Sequence, residues 1–334
     1  MIHPKLSGKR ILYISPRFFG YEDEIEHVLT NDFGAYVDFY DDRPSNDFWT
    51  KVFIRLKLKS LLKRKIDSYY KSIFDAIKEK IYDYVFVISP ETLSQKELIV
   101  IRNLQPHAQF ILYMWDSFKN KNSFELLPLF HKVLSFDSQD AQKYNLIFHP
   151  LFYSGMYSGG HPSSHTPYDL CSIATAHSDR YVLVQKIKHE LNSINLRLFS
   201  FMYLPSQMMY WVRKLFLKKY HYGNMSDFSF TPMSSQEIVS IMAQAQVILD
   251  INHPAQYGLT MRTFEALGLQ KKIITTNKNI KDYDFYTEEN ILIIDRDSPK
   301  INVEFFKTPY VPLPQKVYEK YSLKNWIQFV FACK

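Results

Sequence analysis

Residues 247–276 read VILDINHPAQYGLTMRTFEALGLQKKIITT. The apolar run that opens the stretch closes on Asp250. A polar loop containing Pro254 and Gly258 follows, then a short helical pattern, then a second β-branched run from Lys272 to Thr276. Strand, loop, helix and strand in about thirty residues make a βαβ unit, which needs a parallel sheet. Arg262 and Glu265 are three positions apart and so share one helix face. Open parallel sheets receive ligands beyond the carboxyl ends of their strands, where helix N-termini favour phosphate. The segment therefore predicts a site for a nucleoside diphosphate. Arg262 and backbone N–H groups would meet phosphate oxygens, Glu265 would accept from the ribose hydroxyls, and His253, Gly258 and Thr260 would line the same loop. The competing reading is an Arg–Glu pair on an exposed face, worth only about 0.2–0.5 kcal/mol.

The same alternation extends both ways. Upstream of this segment, strands are predicted at 10–15, 35–40, 84–88, 109–115, 132–136, 169–174 and 195–201. A further one is predicted downstream at 290–295. Helices are predicted at 22–29, over a long stretch from about 48 to 80, and at 94–103, 180–191, 205–219, 235–245 and 260–267. Ser234 and Glu237 have capping-box spacing, and Gly268 falls where a helix end favours positive φ. The stretch SGMYSGGHPSSHTP, residues 154–167, holds three of the nine glycines, two prolines and four serines, and reads as an interdomain linker. The predicted domains are 1–153 and 168–310, with a C-terminal helix within 311–334, roughly 315–331.

At 334 residues the chain is long for one core, and its 46% hydrophobic and 22% charged composition is that of a globular protein. Nine glycines are under half the usual share of roughly 7%, and their positions allow neither GxGxxG nor GxxxxGK[ST]. Dinucleotide-fingerprint and P-loop functions are thereby excluded. Cys171 and Cys333 are the only cysteines, so there is no disulfide framework and no thiolate metal site. No run approaches 18 consecutive apolar residues and no signal-peptide pattern opens the chain. The expected location is cytoplasmic. A formal charge of +7 favours anionic partners.

The segment GLTMRTFEALGLQKKIITT, 258–276, resembles the donor site of group 1 glycosyltransferases, enzymes of the GT-B fold found in bacterial lipopolysaccharide, O-antigen and capsule assembly. The resemblance implies an α/β protein of two Rossmann-like domains, with parallel sheets facing a central cleft. The N-terminal domain would bind acceptor, the C-terminal one the nucleotide sugar, and the last helix would pack back on the first domain. Glu265 matches the glutamate that holds the donor ribose, and Arg262 stands where some relatives place an arginine near the diphosphate. The family's earlier glutamate would fall at Tyr257, so the paired-glutamate form is absent. A weaker likeness covers YDLCSIATAHSDRYVL, 168–183. There Ala174–Ala176 stand in for a glycine, and His177, Asp179 and Arg180 supply polar groups; Arg180 would reach a phosphate.

Inverting transfer needs a base at the acceptor hydroxyl. Asp116, after the apolar run QFILYMW, is the candidate, with a loop-organising or capping aspartate as the other reading. Asp137 is better read as an N-cap, and Asp41 and Asp42 are weaker candidates. His161 and His165 lie in a loop where i, i+4 spacing does not align them, and Asp282 with Asp284 forms a DxD outside its usual context. No metal and no cofactor are expected. Residues 51–65, KVFIRLKLKSLLKRK, carry seven basic residues and no acid. They read as a basic amphipathic helix peripheral on the inner face of the plasma membrane, or as a core-facing helix with a solvated side. Residues 208–219 share that look. Nucleic acid is not an expected partner.

The predicted function is metal-independent transfer of a sugar from a nucleotide-sugar donor to a surface polysaccharide or lipid-linked saccharide. The alternatives are a nucleotide-sugar epimerase or hydrolase on the same fold, or a catalytically silent membrane-associated scaffold.

Overall fold

The computed structural model describes residues 5–55, 58–119, 123–160, 166–217, 220–221, 223–254 and 256–332. The chain divides into two compact units, residues 1–151 with 323–334, and residues 152–322.

The first unit is built on strands β1 (Arg10–Ser15), β2 (Tyr36–Asp41), β3 (Tyr84–Ile88), β4 (Gln109–Met114), β5 (Lys132–Ser135) and β6 (Ile147–Phe148). They form one parallel sheet in the order β2-β1-β3-β4-β5-β6. The inner strands are continuous apolar runs because both faces of a parallel sheet are covered. Helices α1 (Tyr21–His27), α2 (Phe48–Arg55), α3 (Lys63–Ile77), α4 (Gln95–Leu104) and α5 (Ser138–Lys143) alternate with the strands. Ile66, Tyr70, Ile73 and Ile77 turn one face of α3 into the core.

Two expectations for this unit are corrected. The stretch 48–80 is not one helix. Leu58 leaves helical geometry (φ −94°, ψ 37°), its N–H returns to the carbonyl of Phe53, and a 3₁₀ turn covers Lys59–Leu62 before α3 begins. Residues 51–65 therefore do not form one basic amphipathic helix, although Leu58, Leu61, Lys63 and Arg64 are exposed.

The second unit holds β7 (Tyr168–Thr175), β8 (Leu198–Tyr203), β9 (Ala245–Asp250), β10 (Lys272–Thr275) and β11 (Ile291–Ile293), parallel in the order β11-β10-β9-β7-β8. Its helices are α6 (Arg180–Ser193), α7 (Gln207–Phe216), α8 (Ser235–Ala243), α9 (Met261–Gly268), α10 (Glu304–Lys307) and α11 (Gln315–Lys320). The capping box of α8 forms, with the Ser234 N–H donating to Glu237 (2.7 Å) and the Glu237 N–H to the Ser234 hydroxyl (3.3 Å).

Gly268 does not end α9 at positive φ. A Cβ there would meet the Tyr153 ring at 2.7 Å and the Tyr157 carbonyl at 2.8 Å, so close packing excludes a side chain. The packing partners are Tyr153, just before the glycine-rich stretch, and Tyr157, in its first part. Ser154 and Tyr157 are buried and Gly155–Tyr157 forms a 3₁₀ turn, which makes this part packed structure; residues 161–165, with His161 and His165, lie outside the described residues.

The single helix expected at 315–331 is two helices. It breaks at Tyr321 and Ser322, and α12 (Leu323–Phe331) belongs to the first unit, where Trp326, Ile327, Val330 and Phe331 are buried. Lys132 caps its end, the ammonium donating to the carbonyls of Phe329, Val330 and Ala332. Among the described residues no helix is long and apolar enough to cross a membrane.

Candidate functional site

Strand order in the second unit changes direction at β7: β8 lies on one side and β9 on the other. Loops leaving the carboxyl ends of two such strands part company, and open α/β sheets bind ligands in the gap. The polar residues of this unit concentrate there. After β7 come His177, Asp179 and Arg180. After β9 come Asn252 and His253, and after β11 comes Arg296.

Arg296 ties these loops together. One guanidinium nitrogen donates to both Asp179 oxygens (2.7 and 2.8 Å), and another to the Asn252 carbonyl (2.7 Å), Asn252 Oδ1 (2.8 Å) and Thr276 Oγ1 (3.1 Å). Thr276 donates in turn to Asn252 Oδ1 (2.7 Å). Burial works to raise the Asp179 pKa, but the hydrogen bonds and charge of Arg296 pull it below the usual carboxylate range. Arg180, at the first position of α6, donates from Nε to the Ile251 carbonyl (2.7 Å). Burial lowers its pKa; Asp250 opposes that shift, while the charges of Arg262 and Arg296 add to it.

His177 stands among cations. Its ring lies 6.0 Å from that of His253. Burial first, then Arg180, His253 and Arg213, push its pKa down to about 4, with Asp179 opposing. Arg213 arrives from α7, where its guanidinium donates to the Ala176 carbonyl and to the Tyr220 hydroxyl (3.1 Å). Three guanidiniums and two imidazoles thus gather at one end of the sheet, as an anionic ligand requires.

The residues named from the sequence fall around this cluster. Thr260 is the N-cap residue of α9, yet its hydroxyl donates to Asp250 (2.7 Å), as does that of Thr263 (2.6 Å), so the carboxylate closing β9 anchors the first turn of the helix. The Gly258 carbonyl accepts from Gln256 (3.0 Å) and Asn277 (3.3 Å), which holds the loop against the next strand end. Arg262 and Glu265 form an ion pair at 2.5 Å with side chains only 18% and 5% exposed, so the exposed-pair reading is wrong. Breaking a buried pair by removing one partner costs about 3–5 kcal/mol, so Glu265 is part of the fold as well as a candidate ligand group.

Sequence reasoning missed Arg296, Arg213, Asn252 and Thr276. Three of these lie within three residues of a strand's carboxyl end, a signal that was there to read. Arg213 had none, because a long-range hydrogen bond brings it in from a helix.

In the first unit Asp116 is half-buried, two residues past the end of β4. Beside it the Trp115 ring lies 6.4 Å from Phe18 and 5.6 Å from Tyr21, and Phe18 packs on the exposed Phe19 at 4.6 Å. Asp137 is an N-cap, accepting from the N–H groups of Gln139 (3.0 Å) and Asp140 (3.2 Å). Asp42 is fully buried and accepts from the backbone of Glu91, Thr92 and Leu93, while Asp41 holds Arg43 and Asn46; both organise loops. Asp284 of the DxD pair is held by Lys320 (2.6 Å) and Tyr321 (2.5 Å).

No family model matches the chain, and no curated protein does either. Solved structures do. The chain is similar to Anabaena HepE in complex with UDP-glucose, with a TM-score of 0.61 at 10% identity over 96% of this chain and 98% of that one. An alpha-glucosyltransferase in complex with UDP and a mismatched 13-mer DNA follows at 0.58, 10% identity, and 97% and 96% coverage. The N-terminal domain of Candida albicans trehalose-6-phosphate phosphatase gives 0.57 at 12% identity, with 97% and 96% coverage. These likenesses define the fold class: the chain has the GT-B fold, with two parallel-sheet α/β units.

Proposed function

We propose that this protein is a glycosyltransferase that takes its sugar from a nucleotide-sugar donor held at the carboxyl ends of β7 and β9, and needs no metal. One observation carries the reading: Arg180, Arg213, Arg296, His177 and His253 converge at the switch point of the second sheet. The complexes of HepE with UDP-glucose and of the alpha-glucosyltransferase with UDP support the same chemistry on the same fold.

In this reading the guanidiniums neutralise the charge that grows on the departing nucleoside diphosphate, in place of a metal ion. The Asn252–Thr276–Asp179 frame holds Arg296 fixed, so little reorganisation is needed when that charge appears. Glu265 takes the ribose and Arg262 the diphosphate beside it, with Gly258, Thr260 and His253 lining the loop. The first unit binds acceptor. Asp116 serves as the base, and Phe18, Phe19 and Trp115 offer apolar faces to the C–H face of a sugar ring. The acceptor is a surface polysaccharide or a lipid-linked saccharide, presented to a peripheral enzyme on the cytoplasmic side of the membrane. The exposed Leu58 and Leu61 with Lys63 and Arg64 supply a basic contact for that surface.

Thermal-shift titration with UDP, UDP-glucose and other nucleotide sugars tests the donor site. Saturation at a hundred times Kd adds about 2.7 kcal/mol to the native state, a shift of several degrees. Arg180→Ala, compared with its own unliganded melting temperature, should lose most of that shift. If no nucleoside diphosphate or nucleotide sugar raises the melting temperature of the wild-type protein, the reading fails.

A further inference from the structure

Helix α7 has two faces with different fates. The Ser206 hydroxyl accepts from the Met209 N–H (3.2 Å) and starts a ten-residue helix about 15 Å long. Inward, Tyr210 is buried and its hydroxyl donates to the Gly223 carbonyl (3.0 Å), while Arg213 reaches the Ala176 carbonyl. Outward, Met208, Trp211, Val212, Leu215 and Phe216 recur at i, i+3, i+4, i+7 and i+8, each between 48% and 78% exposed. Leu217 extends the ridge. A helix is ordinarily apolar on the side that meets the core; here the large apolar side chains of the opposite side form one continuous surface in water.

The stretch of sequence that carries this ridge has charge of one sign. Residues 191–226 contain no Asp or Glu, whereas Arg213, Lys214, Lys218 and Lys219 fall within or just after the helix. A helix too short to span a bilayer, apolar on its outer face, carrying a tryptophan and set in an acid-free basic stretch, has the make-up of an interfacial helix. Its apolar face enters the boundary of headgroups and acyl chains and Trp211 sits at headgroup level. Arg213 and Lys214 bond inward, to the carbonyls of Ala176 and Gly223, so the attraction to anionic headgroups comes from the acid-free basic stretch as a whole.

We propose that α7 seats the second unit on an anionic lipid bilayer, with Met208, Trp211, Val212, Leu215 and Phe216 as the inserted residues. This surface is distinct from residues 51–65 of the first unit and does not depend on sugar transfer. It has a structural consequence for the donor end all the same. The helix that enters the lipid also holds, through Arg213, the carbonyl next to His177.

The test is co-sedimentation of the full-length protein with vesicles of equimolar phosphatidylglycerol and phosphatidylcholine, beside vesicles of phosphatidylcholine alone. The wild type should bind the anionic vesicles, less tightly as salt rises, and its Trp emission should shift to the blue. Trp211→Phe should abolish most of that shift. Leu215→Glu combined with Phe216→Glu should lower the partition coefficient about a hundredfold, because two large side chains leave the apolar layer. Far-UV circular dichroism and melting temperature confirm that the double variant is folded, as expected for side chains facing water. Binding that is absent, equal on the two vesicle types, or unchanged in the double variant overturns the proposal. So does a wild-type dimer in analytical ultracentrifugation that the double variant dissolves, since the ridge would then be covered by a second copy. Vesicle binding is read without donor, so failure of the nucleotide titration leaves this result standing.

Discussion

His177 is a base kept from its proton. In the unfolded chain its ring titrates near the ordinary value of 6.5, whereas in the folded protein burial and the charges of Arg180, His253 and Arg213 hold it near 4. Between those values the unfolded state takes up a proton that the native state refuses. Its contribution is therefore complete above pH 6.5 and is lost as the pH falls toward 4. Urea denaturation at a series of pH values should show this acid limb in the wild type and a flatter one in His177→Gln. Superimposable limbs would mean that the ring is not held neutral by its surroundings. The same cations explain what was readable one residue at a time. Glu265, Arg262 and Thr260 stood out because they belong to one contiguous segment. Arg296 and Arg213 did not, because their partners lie 117 and 37 residues away and only the fold makes them neighbours.

At the scale of elements, most strands and the limits of α4, α6, α8 and α9 were legible, and the breaks inside 48–80 and 315–331 were not. A strand buried on both faces is a short, unbroken apolar run, and β1, β3 and β4 announce themselves that way. The breaks at Leu58 and at Tyr321–Ser322 carry no proline or glycine to announce them; packing on either side decides where each helix stops. Gly268 was recognised as a special position for the wrong reason. Its α9 backbone would accept alanine, whose helix propensity is better by about 1 kcal/mol. The neighbouring Tyr153 ring and Tyr157 carbonyl would not, at 2.7 and 2.8 Å from the added carbon. Tyr153 is itself pinned, its hydroxyl donating to the Tyr318 carbonyl (3.1 Å) and its ring stacked on Tyr318 at 5.0 Å. Overpacking should win, so Gly268→Ala should destabilise the protein by about 1–3 kcal/mol in urea denaturation. A stabilised Gly268→Ala variant would show that helix propensity governs the site instead.

For the whole molecule, the parallel α/β class of both halves followed from alternation of strands and helices, whereas the return of the last helix to the first domain was an expectation of the resemblance alone. The first unit is completed by the end of the chain. Trp326 packs at 4.7 Å from Tyr113 and 6.3 Å from Phe86, Phe331 lies 5.1 Å from Phe86, and His149 stacks on Trp326 and Phe329. These rings cover the side chains of β3 and β4, so α12 is one layer of that unit and not an appendage. Removing residues 323–334 takes away five buried apolar side chains, Leu323, Trp326, Ile327, Val330 and Phe331, at about 2–5 kcal/mol each, against a typical total stability of about 5–15 kcal/mol. The truncated first unit should therefore fail to fold cooperatively. The second unit keeps its own core, centred on Leu170, Val184, Ile187, Val247 and Ile274, together with the guanidinium cluster, and none of those residues is lost. Calorimetry of the truncated chain should show the second unit's transition surviving and the first unit's lost, with any UDP-induced shift confined to the transition that remains. A truncated protein that kept both transitions would show that α12 merely rests on a sheet already complete without it.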